Sequence, residues 1–131
     1  MELEIRDDTV EATSVLIRTE SPICVRRTDP ETKKTHYYSP AEPEFAEEVN
    51  LNFLRKYFAY TGIPAGSGIS LTLEEVTEKD KYVTKYKGFY ITAWGGTYRL
   101  SGERKYLDFL YQCGLGSRNA QGFGMIAILE E

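Results

Sequence analysis

The strongest indication of the fold of this 131-residue chain is the segment Gly114-Leu115-Gly116-Ser117-Arg118-Asn119-Ala120-Gln121-Gly122-Phe123-Gly124. Its four glycines are mirrored, because a Gly-apolar-Gly triplet stands on each side of five other residues. Glycine permits positive φ angles and lets another group approach the main chain closely. A turn from a helix into a strand needs only two glycines, so this pattern favours a binding loop.

The side chains between the glycine pairs indicate an anionic ligand. All but one of them form hydrogen bonds, and Arg118 is a cation. Clustered backbone N–H groups make concave anion sites, and the planar guanidinium group suits phosphate. The predicted contacts to a polyanion are therefore Gly114, Gly116, Ser117, Arg118, Asn119, Gln121, Gly122 and Gly124.

The elements beside this loop exclude two common phosphate sites. Residues 101–112 have a helical apolar pattern, with Ser101 as N-cap and Gly114 just past the helix end. Met125 to Leu129 is a short apolar run that predicts a buried strand. A dinucleotide-binding loop runs from a strand into a helix, which is the reverse order. The Gly-Lys-Ser/Thr sequence of a P-loop is also missing.

The first half of the chain predicts strands followed by a helix. Apolar and β-branched residues indicate a strand over Thr9–Thr19, and Ile23–Arg27 is either a second short extended piece or a continuation past the Ser-Pro kink. Residues 28–34 form a turn, and residues 36–38 are the returning strand. Residues 39–42, Ser-Pro-Ala-Glu, have the form of a capping box with proline at N1. They begin a helix that runs to about Tyr60, with Phe45, Val49, Phe53 and Tyr57 at four-residue intervals.

The second half completes a ferredoxin-like α+β fold. Ile69–Val76 and Gly88–Trp94 predict two further strands, before the last helix, the glycine loop and the last strand. The resulting order is βαββαβ, with the glycine-rich loop between the second helix and the last strand. Two helices should then cover one face of an antiparallel sheet and leave the other face free for a partner.

A lysine-rich segment lies between those two strands. Residues 79–87 interleave four lysines with two tyrosines. Cations beside stacking aromatics are typical of a surface for single-stranded RNA. A hairpin edge whose lysines block sheet-to-sheet aggregation has the same composition. Lys81, Lys85 and Lys87 are therefore added to the predicted RNA contacts, and both interpretations stay open.

Composition and charge narrow the class of protein. The length fits one domain over residues 1–131, and 41% hydrophobic residues exclude a disordered chain. A net charge of −4 argues against an indiscriminate nucleic-acid binder. The bases are clustered, however, because residues 81–118 hold seven of them against two acids, while residues 1–20 hold six acids and two bases. Such asymmetry is compatible with one RNA-facing surface.

The sequence does not indicate a membrane protein, a disulfide-bonded protein or a metalloprotein. The chain has no apolar run long enough to span a membrane and no signal peptide, so a cytoplasmic protein is expected. Cys24 and Cys113 stand among apolar neighbours and are expected to be free thiols. With a single histidine, the chain offers too few ligands for a zinc site, and no metal or cofactor is predicted.

Four segments in order resemble one known family. They are Ser21-Pro22-Ile23, residues 50–57 (Asn-Leu-Asn-Phe-Leu-Arg-Lys-Tyr), residues 96–102 (Gly-Thr-Tyr-Arg-Leu-Ser-Gly) and the glycine loop. The loop resembles the C-terminal glycine-rich signature of RAMP proteins of CRISPR systems. Together the segments are most similar to the CRISPR RNA-processing endoribonuclease, the sixth of the CRISPR-associated (Cas) families. The resemblance runs from about Val10 to Leu129.

The resemblance implies metal-independent cleavage of CRISPR repeat RNA. In that reaction the 2′-hydroxyl attacks the adjacent phosphate and leaves a 2′,3′-cyclic phosphate and a 5′-hydroxyl. It needs a base, an acid and a cation, which in the family usually come from an N-terminal ferredoxin-like domain. The family enzyme is about twice this length, so the chain should be its C-terminal half. Its partners would be that N-terminal domain and the repeat RNA of the CRISPR precursor.

No catalytic residue is assigned by a motif match. His36, the sole histidine, lies beside a predicted turn and is expected to be a solvated hairpin residue. Two other functions stay open: a non-catalytic RAMP subunit that binds guide RNA, and a ferredoxin-like regulatory or oligomerisation module without RNA. A homodimer is also left open.

Overall fold

The structure, a computed structural model, describes residues 14–130, which form eight strands and two α-helices. These are β1 Ser14–Thr19, β2 Arg26–Thr28, β3 Thr35–Tyr37, α1 Pro43–Thr61, β4 Ser70–Glu75, β5 Lys81–Tyr86, β6 Phe89–Trp94, β7 Thr97–Ser101, α2 Arg104–Cys113 and β8 Ile126–Glu130. Single 3₁₀ turns cover Glu78–Asp80 and Asn119–Gln121. The predicted strand residues Thr9 to Thr13 lie outside the described residues.

The main sheet has four antiparallel strands in the order β4-β7-β1-β8. Ile17 is paired with Tyr98 on one side and with Ile128 on the other. Side chains alternate between the two faces of a strand, so these residues share the face that packs against both helices. The predicted ferredoxin-like α+β fold is confirmed.

The strand that pairs with β4 differs from the prediction. The predicted order βαββαβ placed the strand Gly88–Trp94 next after Ile69–Val76 in the fold, but β4 pairs with β7. Tyr98 and Leu100 of β7 are buried and alternate with partly exposed residues, which is the pattern of a strand packed on one face. β5 and β6 pair with each other as a separate hairpin, inserted between the two core strands.

Helix α1 begins one turn later than the predicted capping box. Ser39 and Glu42 do interact, because the Ser39 N–H donates to Glu42 Oε1 at 2.6 Å. The Glu42 N–H also donates to Ser39 O at 2.9 Å, which closes a turn instead of opening the helix. Glu42 is the N-cap, and the proline in the first helical turn is Pro43 rather than Pro40.

Helix α2 also begins later than predicted. Ser101 is not its N-cap, because Ser101 belongs to β7 and is paired with Ser14 and Ser70. The N-cap position is Glu103, without a side-chain capping hydrogen bond. The prediction for the other end is confirmed, because Gly114 has a φ of 95° and its N–H donates to Leu110 O.

The core between the sheet and the helices is centred on Phe53. Phe45, Val49 and Phe53 of the predicted four-residue series are all buried along α1. The Phe53 ring lies 5.2 Å from Tyr106, 5.7 Å from Tyr57 and 6.1 Å from Phe109, measured between ring centroids. Aromatic side chains from both helices therefore join the two elements directly.

A second, smaller cluster lies beside this core. Cys24, Ile91, Ala93 and Phe123 are buried together, so it joins the β5–β6 hairpin to the glycine loop. Both cysteines are free, as expected. Neither helix of residues 14–130 has the length and apolar character required to cross a membrane.

Two phenylalanines of α1 test this account of the core. Phe53→Ala should lower the free energy of unfolding by about 3–5 kcal/mol, because the ring is fully buried. Phe58→Ala removes the same atoms from a side chain that is 54% exposed, and should cost less than about 1 kcal/mol. Urea unfolding of both variants measures the difference, and equal losses of stability would contradict the assigned packing.

Candidate functional site

The glycine loop, residues 114–124, connects α2 to β8 and is tied to the segment after β1. The Gly124 N–H donates to Pro22 O and the Ser117 N–H to Cys24 O, both at 2.8 Å. The Leu115 N–H donates to Gly124 O at 2.9 Å, which closes the loop on itself. The loop is thus held at both ends by backbone hydrogen bonds.

Three of the four glycines leave no room for a Cβ, and two of them, Gly116 and Gly124, lie against backbone oxygens. A Cβ at Gly116 would lie 2.5 Å from Cys24 O, and one at Gly124 would overlap Leu115 O. Gly122 is different, because its φ is 96° but a Cβ there would meet nothing within 4 Å. The groups that lie close to Gly116 and Gly124 are therefore backbone oxygens of this protein and not a ligand.

Lys56 of α1 lies inside the loop and organises it. Its Nζ donates to Gly114 O at 2.9 Å, to Gly116 O at 3.1 Å and to Asn119 Oδ1 at 2.6 Å. These three acceptors match the three N–H donors of an ammonium group. Burial lowers the pKa of Lys56 to about 8. The group is therefore mostly charged at neutral pH.

Asn119 continues the same network from the other side of the loop. Its Nδ2 donates to Leu115 O at 3.1 Å and to Phe123 O at 2.9 Å, while its Oδ1 accepts from Lys56. Both amide atoms are thus engaged within the protein. Asn119 was predicted from the sequence as a ligand contact, and no role was predicted for Lys56. The sequence did contain a signal for this internal contact, because Lys56 stands within the apolar repeat of α1.

The outer surface of the loop is formed by its middle residues. Gly114, Gly116 and Gly124 are buried, whereas Gln121 and Gly122 are exposed and Ser117 is partly exposed. Arg118 is partly exposed and has a left-handed φ of 62°. Its Nη1 donates to Gln121 Oε1 at 2.9 Å. Among the contacts predicted in the loop, these four residues form its outer surface, and the fifth that is not buried, Asn119, has both amide atoms engaged within the protein.

The β5–β6 hairpin packs against this loop through one face. The Tyr82 ring lies 6.3 Å from the Phe123 ring, and Ile91 and Ala93 are buried beside Phe123. Residues on one side of a strand alternate with those on the other. Tyr82 therefore faces the loop, whereas the neighbouring Lys81 projects from the opposite face of the hairpin.

The three predicted lysines of the hairpin each lie over an aromatic ring. Lys81 Nζ is 5.9 Å from the centroid of Trp94, and Lys85 Nζ is 5.6 Å from that of Tyr90. Lys87 Nζ lies 5.4 Å from its neighbour Tyr86, next to the hairpin turn. The structure thus brings Lys81 and Lys85 together on one surface, behind the hairpin as viewed from the glycine loop.

His36 lies on β3, in the β2–β3 hairpin. Its Nε2 is 3.0 Å from Glu42 Oε2, and its side chain is 59% exposed. Its ring meets Tyr38 edge to face at 4.6 Å. Within residues 14–130, no three His, Cys, Asp or Glu side chains are grouped so that they could hold a metal ion.

Two glycines of the loop provide a matched test of its packing. Gly124→Ala should destabilise the protein by roughly 3 kcal/mol or more, because backbone strain adds to overlap with Leu115 O. Gly122→Ala should cost only about 1–2 kcal/mol, because it brings the same strain into open space. Thermal and urea unfolding measure both, and similar costs would show that the loop is not closed as described.

The partly buried ammonium group of Lys56 should make stability depend on pH. The pKa of Lys56 in the folded protein, about 8, lies below the value of roughly 10.4 for an unfolded lysine. Between these values the folded protein has released a proton that the unfolded chain keeps, so stability rises with pH. The free energy of unfolding should therefore increase relative to Lys56→Met from about pH 8 to pH 10.

The control for this measurement concerns Cys113. Burial raises the pKa of the Cys113 thiol, and the charge of Lys56 acts in the opposite direction. The protein with Lys56 and the Lys56→Met variant should therefore both carry Cys113→Ser, so that Lys56 is the only titrating group that differs between them. A stability difference that stays constant over this range would contradict the lowered pKa.

The sequence matches the family model described as CRISPR associated protein Cas6, C-terminal, over residues 5–128. It is 26% identical over 119 residues to the CRISPR-associated endoribonuclease Cas6 1 of Methanocaldococcus jannaschii, covering 88% of this chain and 46% of that protein. It is 32% identical over 96 residues to the CRISPR-associated endoribonuclease Cas6 of Pyrococcus furiosus, covering 72% and 35% of the two chains.

Solved structures agree in fold. A Cas6-related protein from Pyrococcus furiosus has a TM-score of 0.80 at 23% identity, over 97% of this chain and 51% of that one. A RAMP protein described as binding different RNA substrates also has a TM-score of 0.80, at 20% identity, over 96% and 52%. The chain spans half or less of the length of the curated relatives it matches. Because the family model matches nearly its whole length, this chain belongs to the Cas6 C-terminal family.

Proposed function

We propose that this chain is the RNA-binding half of an endoribonuclease that cuts CRISPR precursor RNA within its repeats. The observation that carries the proposal is the glycine loop, which is closed on the inside around Lys56 and presents Arg118 on the outside. A loop fixed in this way presents its outer groups to a ligand without a large ordering cost. Membership in the Cas6 family and the similarity to a RAMP protein described as binding RNA substrates support an RNA as the ligand.

Arg118 is the residue best placed to hold a phosphate. Its left-handed backbone is kept by hydrogen bonds from the Gln121 and Phe123 N–H groups to its carbonyl. Such conformations in residues other than glycine cost energy and are concentrated at functional sites. Its Nη1 donates to the neutral amide of Gln121, and no carboxylate of residues 14–130 forms an ion pair with it. Its Nε is buried without a hydrogen-bond partner, but no carboxylate of the described residues neutralises its charge, which is therefore available to an anion.

The outer face of the β5–β6 hairpin would hold a second stretch of the same RNA. Lys81 and Lys85 lie over Trp94 and Tyr90, so cations and aromatic rings alternate on this face. Tyr90 is 66% exposed, which leaves its ring available for stacking on an unpaired base. Because this face points away from the glycine loop, the two surfaces would contact separate parts of one strand.

The cleavage step is proposed to use groups outside this chain. The 2′-oxygen attacks phosphorus, the bond to the 5′-oxygen breaks, and a proton passes to the leaving oxygen. No metal ion is needed for this step, but a base, an acid and a cation are. His36 is held by Glu42 on an exposed hairpin and is given no catalytic role. The longer relatives support a second domain as the source of these groups.

Binding without cleavage is the expected result for the chain alone. Labelled CRISPR repeat RNA is incubated with the 131-residue protein in EDTA, and products are separated on a denaturing gel. RNA should be retained in a binding assay while no cyclic phosphate product forms, because acid and base groups each contribute about 10²–10⁴-fold. Site-specific cleavage that disappears in His36→Ala would contradict the proposal and place the base on β3.

The contact made by Arg118 is tested with a matched pair of charge deletions. Arg118→Ala should weaken repeat RNA binding and lower the slope of log affinity against log salt by roughly 0.7 for each phosphate that is no longer neutralised. Lys105→Ala removes one charge from the first turn of α2, roughly 14 Å along the helix from the loop. It should leave the slope unchanged. Equal effects of the two substitutions would remove Arg118 from the site.

A further inference from the structure

A cleft beside the glycine loop was not identified from the sequence. It has a volume of about 430 Å³ and lies between α1, the β2 strand and the loop. Its lining includes Arg26, Arg27, Asn52, Arg55, Gly116 and Ser117. Binding sites for small ligands typically have volumes of roughly 300–1,000 Å³, so the cleft can hold a group the size of one nucleotide.

Three chain segments that are distant in sequence build the cleft. Glu48, Leu51, Asn52 and Arg55 follow one another at helical spacing, so one side of α1 forms the first wall. Residues 24–28 form the opposite wall. The loop forms the floor, where the N–H and Oγ of Ser117 both donate to Cys24 O, at 2.8 and 3.1 Å. The floor is therefore part of the same closed loop that Lys56 organises.

The cleft is positively charged within an acidic protein. Arg27 is paired with Glu48, at 3.2 Å between Nη1 and Oε2. Within the part of the chain that the structure describes, neither Arg26 nor Arg55 forms an ion pair. The lining therefore has an excess of two positive charges, although the whole chain has a net charge of −4.

The pKa of the Cys24 thiol indicates that Arg118 and Arg26 both lie near the floor of the cleft. Burial raises its pKa, whereas a hydrogen bond with Ser117 and the charges of Arg118 and Arg26 act in the opposite direction. Arg118 belongs to the loop surface and Arg26 to the cleft. The two cations thus lie near one buried group, and an RNA strand that contacts Arg118 can continue into the cleft.

Polar and apolar groups complete the lining. Leu51 is 41% exposed and, with Val25, adds an apolar surface for a base or sugar. Asn52 Oδ1 is buried without a hydrogen-bond partner in residues 14–130. A buried acceptor without a donor carries a free-energy cost, which a nearby N–H or hydroxyl donor of a ligand would relieve. Guanidinium groups, an amide and an apolar wall together match a nucleotide unit.

We propose that this cleft binds one nucleotide of the RNA strand, with Arg55 on its phosphate and Arg26 on the adjoining phosphate toward Arg118. The proposal rests on the proposed function, because it extends the RNA path from the glycine loop onto α1. Two ligands offer the ribonucleotide phosphate that the cleft would bind: a linked RNA strand and a free mononucleotide. The linked strand is the source favoured by the adjacent Arg118.

The test compares two double variants that each remove two positive charges. Arg26→Gln with Arg55→Gln changes the cleft, while Lys33→Gln with Lys105→Gln changes the β2–β3 turn and the start of α2. The cleft variant should bind repeat RNA at least about tenfold more weakly. Its slope of log affinity against log salt should fall by roughly 0.7 for each phosphate that the cleft no longer holds. The control variant should bind like the wild type, and thermal unfolding confirms that both are folded.

A second measurement uses adenosine 5′-monophosphate as a probe. Amide signals of Gly116 and Ser117 are followed by NMR in the wild type and in the cleft variant. Shifts at millimolar probe that vanish in the cleft variant would support the site and show that a free nucleotide can occupy it. Weaker RNA binding by the cleft variant without such shifts would support binding of the linked strand only.

The outcomes separate this proposal from the proposed function. Equally weakened binding in both double variants would overturn the cleft, because it would indicate a diffuse charge effect. Full RNA affinity in the cleft variant, with weakened binding in Arg118→Ala, would also overturn the cleft while the proposed function stands. If the wild type does not bind repeat RNA, the proposed function fails. The monophosphate shifts then decide the cleft: it is supported if they vanish in the cleft variant and overturned if they do not occur.

Discussion

The ammonium group of Lys56 is the contact on which the candidate site depends. It joins α1 to the glycine loop through two carbonyls of the loop and the side chain of Asn119. Carbonyl groups at the end of a helix have no partner within that helix, and here a lysine from another helix supplies the donor at Gly114. A partly buried charge is costly unless its donors are all used. The loop and the lysine therefore satisfy each other.

This arrangement changes the role assigned to the glycines. Gly116 and Gly124 are required because another part of the chain lies against their Cα atoms, which is sufficient reason for glycine at both positions. In the proposed function, the ligand-facing role belongs to Arg118 and its exposed neighbours. A loop packed so closely from within has few conformations left, so its outer donors keep fixed positions. The same packing places Ser117 on the floor of the adjacent cleft.

The segment after β1 links the remaining parts of the site. Ile23 exchanges backbone hydrogen bonds with Trp94 of the inserted hairpin, and Cys24 pairs with Ser117 of the loop. Pro22 accepts from Gly124. The hairpin, the glycine loop and the cleft are therefore attached to one short stretch of chain. Backbone N–H and C=O groups that are removed from water need hydrogen-bond partners. The hairpin and the glycine loop supply these partners to the segment after β1.

Local patterns in the sequence were sufficient for the fold class and for the helices. The four-residue spacing of Phe45, Val49 and Phe53 predicted α1, and the glycine at 114 marked the end of α2, because both depend on interactions within a few residues. The first residue of α1 was missed because Ser39 and Glu42 can close a turn as well as cap a helix. The partner of β4 and the site of Lys56 were decided only by the tertiary structure. Strand pairing and burial of a charge depend on groups far apart in the chain, and no local spacing records which of them meet.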